Sequence, residues 1–138
     1  MRVVIDTNVL VAGLRRRGGA SHYIIRAVLE RQVVPLISVP LVLEYEEVLK
    51  RPSLLPHLTV GDIEIFLDLW CSRCVEQEIF FDWRPALRDP DDDMLLELAV
   101  AGRVNVLITS NVRDFEAASR FGVQVVTPSE FVSWFRAR

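Results

Sequence analysis

The chain has almost no lysine, no large excess of one charge and no long apolar run, and each absence excludes a class of protein. Lys50 is the only lysine, so chemistry that needs a lysine, such as Schiff-base formation, has one candidate. No apolar stretch approaches the ~18 residues that a membrane-spanning helix requires. With 16 basic and 19 acidic residues the net charge is −3, so a polyanion would have to bind through a local patch or a metal ion.

Cysteine and histidine are scarce as well. Cys71 and Cys74 are separated by two residues, a spacing found in zinc and redox sites. Zinc would need two further ligands, and His22 and His57 stand alone in the sequence. A redox pair is activated at the start of a helix, whereas these cysteines fall late in a helical pattern over residues 60–74. We therefore predict two structural thiols.

Length and composition favour one compact domain. The chain has 138 residues, of which 51% are hydrophobic and 25% charged, so it has enough apolar material for a core. Asp6 interrupts the first apolar run, which is not typical of a secretory signal peptide. We expect a single domain over residues 1–138 of a soluble, cytoplasmic protein.

Short apolar runs alternate with helical patterns along the whole chain. Periodicity predicts strands at residues 3–5, 33–37, 75–80, 104–108 and 123–126. Helices are predicted at 21–31, 38–50, 59–69 and 91–101, in a short segment after 108, and from 127 onward. Their N-caps are assigned to Ser21, Ser38, Thr59 and Thr127. Strands joined by helical crossovers imply an α/β fold, a three-layer α/β/α sandwich with a mostly parallel central sheet.

Carboxylates follow two of the predicted strands. Asp6 comes directly after the first strand, and Asp114 lies in the polar segment after the fourth. The carboxyl ends of parallel strands share one edge of a sheet, where ligands bind. Aspartate is also common in turns and caps, so neither position is informative alone. Together they predict an acidic edge.

A glutamate on the helix after the second strand is the third candidate. Glu44 and Glu46 flank the apolar stripe of this helix on opposite sides, and Glu47 lies farther out. Glu44 is nearer the start of the helix and therefore nearer the carboxyl edge of the preceding strand. We select Glu44, although a solvated helix face is the ordinary place for a glutamate.

Three consecutive aspartates begin the helix predicted at 91–101. Acidic residues in a first turn complement the helix dipole, so capping is their ordinary role. Asp92 has apolar residues three, four and seven positions later and should point along the middle of the inward stripe, with Asp91 and Asp93 to either side. A carboxylate that faces a core is costly unless it finds a partner. We place Asp92 in the site and keep Asp91 and Asp93 as alternatives.

Convergence of Asp6, Glu44, Asp92 and Asp114 would create a metal site. Two carboxylates about 5 Å apart repel by about 3 kcal/mol at an effective dielectric constant of about 20, so a shared cation would stabilise them. Oxygen ligands without histidine or cysteine select Mg²⁺ or Mn²⁺ rather than zinc. Such ions keep water molecules and neutralise phosphates, as phosphodiester hydrolysis requires.

Four stretches of the sequence resemble the PIN-domain ribonucleases, especially the small bacterial toxins of VapC type. They are residues 3–10 (VVIDTNVL), 38–49, 89–99 (DPDDDMLLELA) and 108–115 (ITSNVRDF). The likeness covers essentially the whole chain in the expected order, and the four stretches together are more specific than any one of them.

The resemblance implies a fold, an activity and a set of partners. PIN domains are α/β/α sandwiches that hydrolyse RNA with a divalent metal, through metal-activated water at an acidic cluster. Their catalytic and metal-binding quartet falls on Asp6, Glu44, Asp92 and Asp114. Hydrogen-bonding residues beside the quartet fall on Thr7, Asn8, Ser110 and Asn111. Toxin members are neutralised by an antitoxin and are frequently homodimers, so RNA, an antitoxin and a second copy of the chain are the implied partners.

Two further groups of residues are candidates for binding surfaces. Arg15, Arg16 and Arg17 form a basic run that could contact the RNA backbone, although such runs are ordinarily solvated. Several aromatic residues are expected mainly in the core, with some of them at a subunit or antitoxin interface. They are Phe80, Phe81, Trp83, Phe131, Trp134 and Phe135.

Two other functions remain open at this point. The chain could be a catalytically silent PIN module that binds metal or RNA, because a fold does not guarantee catalysis. An aspartyl-phosphate phosphatase-like domain also has an aspartate after its first strand, but pairs it with a second acid and a lysine. Here Asn8 stands at the second acidic position, and residues 109–111 include no lysine.

Overall fold

Five parallel strands form the central sheet of the computed structural model, which describes residues 1–79 and 90–138. They are β1 (Arg2–Ile5), β2 (Val34–Ile37), β3 (Val75–Glu76), β4 (Val106–Ile108) and β5 (Gln124–Val126). The sheet order is β3-β2-β1-β4-β5, and every neighbouring pair is parallel. The predicted parallel sheet is confirmed.

Helices connect the strands and cover the sheet. They are α1 (Thr7–Arg15), α2 (Ala20–Leu29), α3 (Val39–Leu49), α4 (Val60–Ser72), α5 (Pro90–Ala101) and α6 (Pro128–Ala137), with a 3₁₀ helix at Val112–Phe121. The α/β/α architecture expected from the sequence is confirmed. Among the described residues, no helix combines the length and the apolar character that crossing a membrane requires.

The strand order of the sheet reverses between β1 and β4, which makes this position a topological switch point. The chain moves outward from β1 through β2 to β3, and then returns to place β4 on the other side of β1. Ile5 pairs with Ile108, and the backbone N–H of Asp6 donates to the Ile108 carbonyl oxygen at 2.9 Å. Loops that leave such a switch point diverge, which opens a crevice at the carboxyl ends of the strands. Asp6 and the residues after Ile108 lie at this crevice.

Three of the four predicted N-caps are confirmed. The side chain of Ser38 accepts a hydrogen bond from a backbone N–H of the first turn of α3. Thr59 and Thr127 each form a capping box with the acidic residue three positions later. These local signals fix the starts of α3, α4 and α6.

The fourth N-cap, Ser21, is wrong. Helix α2 begins at Ala20, so Ser21 lies inside its first turn, where it is buried. The backbone of Ser21 packs against α1 at Gly13, where an added Cβ would come within 3.0 Å of it. Close approach of α1 and α2 therefore decides the orientation of position 21, and this contact is not visible in the local sequence.

The strand predicted at 75–80 is shorter than expected. Pairing with β2 covers only Val75–Glu76, and the last backbone bond runs from the N–H of Gln77 to the Ile37 carbonyl oxygen at 2.8 Å. Strand β2 ends at Ile37, so the following residues have no strand to pair with. Phe80 lies outside the described residues.

Helix α5 is enclosed on several sides. It contacts β1, β2, β4, α3 and the 3₁₀ helix, and Leu95, Leu96 and Leu98 are at most 1% exposed. Asp93 is 5% exposed, whereas Asp92 is half-buried. The expectation that Asp92 would be the aspartate facing the core is therefore wrong, because a single-stripe pattern does not describe a helix with several buried faces.

The aromatic residues of α6 divide between core and surface. Phe131 and Phe135 are buried, with stacked rings whose centroids lie 5.6 Å apart. Trp134 is 52% exposed. Of the aromatic candidates from the sequence, Phe80, Phe81 and Trp83 lie outside the described residues.

Burial raises the pKa of both cysteine thiols. The effect is larger at Cys74, where the neighbouring Cys71 adds to burial and where the thiol donates to the Trp70 carbonyl oxygen at 3.1 Å. A raised pKa makes a thiol a weak nucleophile and a weak metal ligand. The electrostatics therefore fit the prediction of structural thiols.

The raised pKa of Cys74 predicts a loss of stability in alkali. Above the ordinary thiol pKa of 9.0 the unfolded chain releases the proton while the folded chain keeps it, so the free energy of unfolding falls as pH rises. We expect a fall of about 1 kcal/mol per pH unit between about pH 9 and 10. Urea unfolding under reducing conditions measures it, and Cys74→Ala should flatten this part of the curve. An unchanged slope in Cys74→Ala would assign the fall to another group.

Candidate functional site

A cleft of about 440 Å³ opens at the carboxyl edge of the sheet, where the loops after β1 and β4 diverge. The four acidic residues predicted from the sequence all line it: Asp6, Glu44, Asp92 and Asp114. Three of the four predicted hydrogen-bonding residues line it as well: Thr7, Asn8 and Asn111. Four separate segments therefore bring the predicted carboxylates to one cleft.

Asp6 is held in a fixed orientation at the end of β1. It is 8% exposed, and its Oδ2 accepts hydrogen bonds from the Thr109 hydroxyl at 2.8 Å and from the Asn8 side-chain amide at 3.2 Å. Thr109 is fully buried and lies directly after β4. The β1–β4 pairing thus delivers both the carboxylate and the hydroxyl that orients it. The site residues inferred from the sequence did not include Thr109, although a polar residue directly after a buried strand was a usable signal.

Glu44, on α3, is bound to the residue that follows Asp6. The Thr7 hydroxyl donates to Glu44 Oε2 at 2.5 Å. The next residue on α3, Tyr45, is fully buried and donates its hydroxyl to the carbonyl oxygen of Ile5 at 2.5 Å. Two adjacent residues of α3 therefore bind the residues on either side of Asp6. The sequence did not identify Tyr45, because its ring belongs to the apolar stripe.

The loop after β4 is fastened to the start of α1. The backbone N–H of Ser110 donates to Asn8 Oδ1 at 3.2 Å, and the backbone N–H of Asn111 donates to the Thr109 hydroxyl at 3.1 Å. The Ser110 side chain is exposed and does not line the cleft. Asn8 and Thr109 therefore organise this loop, and Ser110 contributes through its backbone.

The three aspartates of α5 have different surroundings. Asp92 lines the cleft, whereas Asp93 is buried outside it. Burial raises the pKa of Glu97, and the negative charge of Asp93 raises it further. The side chain of Asp91 lies outside the described residues. Between Asp92 and Asp93, the cleft lining favours Asp92 as the site residue.

A family model described as "PIN domain" matches residues 2–113, from β1 to the segment after β4. The chain belongs to the PIN domain family. The match includes Asp6, Glu44 and Asp92, and it ends one residue before Asp114.

A solved structure shares the fold of this PIN domain. It is VapBC2 from Rickettsia felis bound to a DNA fragment from its promoter, with a TM-score of 0.62 and 16% sequence identity. The superposition covers 92% of this chain and 98% of the other. At this identity the likeness shows a shared fold. The search of curated proteins found none that matches this chain in sequence.

Two arginines line the cleft of the PIN domain, and one of them belongs to the predicted basic run. Arg15 lines it, whereas Arg16 and Arg17 are exposed and lie outside its described lining. The second is Arg51, which the sequence did not single out. Arg51 lies two residues beyond the end of α3, so helical periodicity did not connect it with Glu44.

The donor set of the cleft fits a hard divalent cation. Its described lining contains carboxylate, hydroxyl and amide oxygens, without histidine or cysteine, as Mg²⁺ and Mn²⁺ prefer. Within residues 1–79 and 90–138, however, no three acidic, histidine or cysteine side chains stand close enough together to hold a metal ion. The Glu44 carboxylate instead accepts from Thr7, and that of Asp6 from Thr109. The PIN domain therefore has suitable ligands in one cleft, with two of them bound to hydroxyl groups.

Proposed function

We propose that this PIN domain is a Mg²⁺-dependent endoribonuclease, with Mn²⁺ as the alternative ion. The observation that carries the proposal is the shared cleft of Asp6, Glu44, Asp92 and Asp114, at the switch point of the sheet. Membership of the PIN domain family supports hydrolysis of a nucleic acid. The proposed catalytic and metal-binding residues are these four.

The residues of the cleft have distinct parts in this proposal. A bound divalent cation would neutralise phosphate charge and make water a better nucleophile. Asp6 and Glu44, which hydroxyl groups already orient, would hold it together with Asp92. Asp114 is exposed and would act from the mouth of the cleft. Preorganised carboxylates lose little freedom when they bind a ligand, which favours catalysis.

We further propose that the chain is the cytoplasmic toxin of a toxin–antitoxin pair. The similar fold of the VapBC2 structure supports this biological setting. An antitoxin protein and a second copy of the chain are the proposed protein partners. The exposed Trp134 of α6 is one candidate contact for either of them.

Incubation of the purified full chain with a labelled single-stranded RNA tests the activity. We expect cleavage with Mg²⁺ and none in excess EDTA, with recovery when Mg²⁺ is added back. Hydrolysis forms a bond from the water oxygen to phosphorus and breaks one phosphorus–ester bond. The products should therefore carry a linear phosphate on one fragment and a hydroxyl on the other. Full activity in EDTA, or products ending in a 2′,3′-cyclic phosphate, would contradict the mechanism.

The silent PIN module is the second candidate, because the described residues hold no preformed three-ligand metal site. RNA binding without cleavage at any Mg²⁺ or Mn²⁺ concentration would support it. The phosphatase-like alternative is less favoured. Lys50, which would have to supply its lysine, lies outside the described lining of the cleft and binds Glu64 at 3.0 Å and Glu46 at 3.6 Å.

A further inference from the structure

The cleft has an acidic end and a basic end. Helix α1 presents Asn8, Val11, Ala12 and Arg15 to it, a spacing of three, four and seven residues that defines one helix face. Helix α3 and the residues after it present Glu44, Val48 and Arg51 at a spacing of four and seven. Each side of the cleft therefore runs from a polar or acidic residue, across an apolar section, to an arginine.

The two basic ends lie in the same direction from the carboxylates. Both α1 and α3 begin at the carboxyl edge of the parallel sheet, after β1 and β2, and the two helices contact each other. Arg15 is the last residue of α1 and follows Asp6 by nine residues, which corresponds to about 14 Å along the helix, and Arg51 lies two residues beyond the end of α3. A linear ligand that reached both ends of the cleft would pass over the apolar section.

Both guanidinium groups have donors to spare. Arg15 Nη2 donates to the Leu54 carbonyl oxygen at 3.2 Å, which fixes its position and uses one of its five N–H groups. Arg51 binds Glu47 at 2.9 Å, with side chains 57% and 63% exposed. This pair is bidentate, through Nε and Nη2, so the two N–H groups of Nη1 are the ones left for another ligand. Because both side chains are mostly exposed, solvent screens the pair, and a phosphate could bind at Nη1 or displace the carboxylate.

We propose that Arg15 and Arg51 form a phosphate subsite for the backbone of single-stranded RNA, away from the phosphate that is cleaved. The inference rests on the proposed nuclease function for the position of the cleaved phosphate. Guanidinium groups bind phosphates in a bidentate manner. The protein has a net charge of −3, so such a local pair supplies the attraction that the whole chain lacks.

The lining of the cleft also indicates how RNA is recognised there. None of its described lining residues is aromatic, so the described walls offer no ring on which a base could stack. Contacts to phosphates position a nucleic acid without reading its sequence. The subsite should therefore bind RNA of any sequence with similar strength.

Salt-dependent binding tests the subsite with Arg15→Gln, Arg51→Gln and the double variant. The probe is a labelled single-stranded RNA, measured by fluorescence anisotropy with Mg²⁺, and every protein carries Asp6→Asn to prevent cleavage. Loss of one phosphate contact should reduce the slope of the logarithm of the binding constant against the logarithm of the salt concentration by about 0.7 in magnitude. We expect each single variant to weaken binding about threefold to tenfold at 0.1 M salt, and the double variant to lose both contacts.

Arg26→Gln is the matched control. Arg26 is also paired with an exposed glutamate four residues away, through one contact with Glu30 at 3.5 Å and with side chains 66% and 53% exposed, but it lies on α2 outside the cleft lining. The salt dependence of RNA binding should have the same slope in Arg26→Gln as in the parent. An unchanged slope in the double variant, or an equal loss in Arg26→Gln, would overturn the subsite.

A chemical change in the RNA locates the contact. One backbone phosphate at a time is replaced with a neutral methylphosphonate. At one or two positions near the cleavage site, this replacement should make the RNA affinities of the parent and the double variant equal. A difference that persists at every position would overturn the proposal. If the arginines govern binding but the wild-type chain does not cleave RNA, the nuclease function fails and the subsite remains. If the chain cleaves RNA and the slopes do not change, the subsite fails alone.

Discussion

Asp6→Asn is expected to reduce RNA cleavage by at least about 100-fold while the protein remains folded. The amide has the shape of the carboxylate, and its oxygen can still accept from Thr109, so the β1–β4 junction should persist. The change removes a buried negative charge from a cleft lined by three other acidic residues. Without metal, the melting temperature should therefore equal or exceed that of the wild type. We expect Mg²⁺ to raise the melting temperature of the wild type and to leave that of Asp6→Asn unchanged.

Asp68→Asn is the control for this experiment. Asp68 is exposed on α4 and lies outside the described cleft lining, so its replacement changes the net charge equally without touching the site. We expect wild-type cleavage and a wild-type response to Mg²⁺. Cleavage by Asp6→Asn at the wild-type rate would exclude Asp6 as a metal ligand and would remove the central support for the nuclease proposal.

Tyr45→Phe is expected to lower kcat for RNA cleavage by about 10- to 100-fold, with little change in KM, because positioning errors of about 1 Å have effects of this size. The variant removes only the hydroxyl that donates to the Ile5 carbonyl oxygen, next to Asp6. It leaves a buried carbonyl with one partner fewer, which should cost about 1 to 3 kcal/mol in the free energy of unfolding. Burial raises the pKa of Tyr45 well above its ordinary value, so the hydroxyl stays protonated and the effect should not depend on pH from 6 to 9.

Tyr23→Phe provides the comparison for Tyr45→Phe, since the chain has two tyrosines. Tyr23 is half-buried on α2, where its ring packs edge-on against Phe135 at 6.4 Å, outside the cleft lining. It should retain the wild-type kcat. A Tyr45→Phe variant that loses stability but keeps kcat would show that the contact only supports the fold and does not position Asp6 and Glu44.

Elements whose cause is local were predictable from the sequence. β-Branched runs gave the positions of β1 and β5, and the capping residues Ser38, Thr59 and Thr127 gave the starts of their helices. A cap binds a backbone group two or three residues away, so its signal is complete within a short window. The parallel sheet followed from the alternation of strands and helices.

Features that depend on distant partners were not predictable in this way. The orientation of Ser21 depends on the contact of α2 with α1, and the burial of Asp93 depends on the several elements around α5. Thr109 and Tyr45 each bind a residue near the start of the chain. Their side chains are ordinary for a strand end and for an apolar stripe, so only the tertiary structure shows what they hold.

The positions of the four acidic candidates could be anticipated, because a parallel sheet collects its strand ends at one edge. Asp6 and Asp114 follow strands, and Glu44 and Asp92 lie on helices that reach the same edge. The separation of their carboxylates could not be anticipated. It depends on side-chain partners such as Thr7, which binds Glu44.

The pairing of β1 with β4 has a consequence for the newly made protein. The hydroxyl that orients Asp6 belongs to a residue 103 positions later in the chain. During translation Asp6 leaves the ribosome long before Thr109 has been made, and domains fold as units once their residues are available. A half-synthesised chain therefore carries the carboxylate without the strand that orients it. Any attack on RNA that needs the complete cleft must therefore wait until Thr109 has been made and has paired with the first strand.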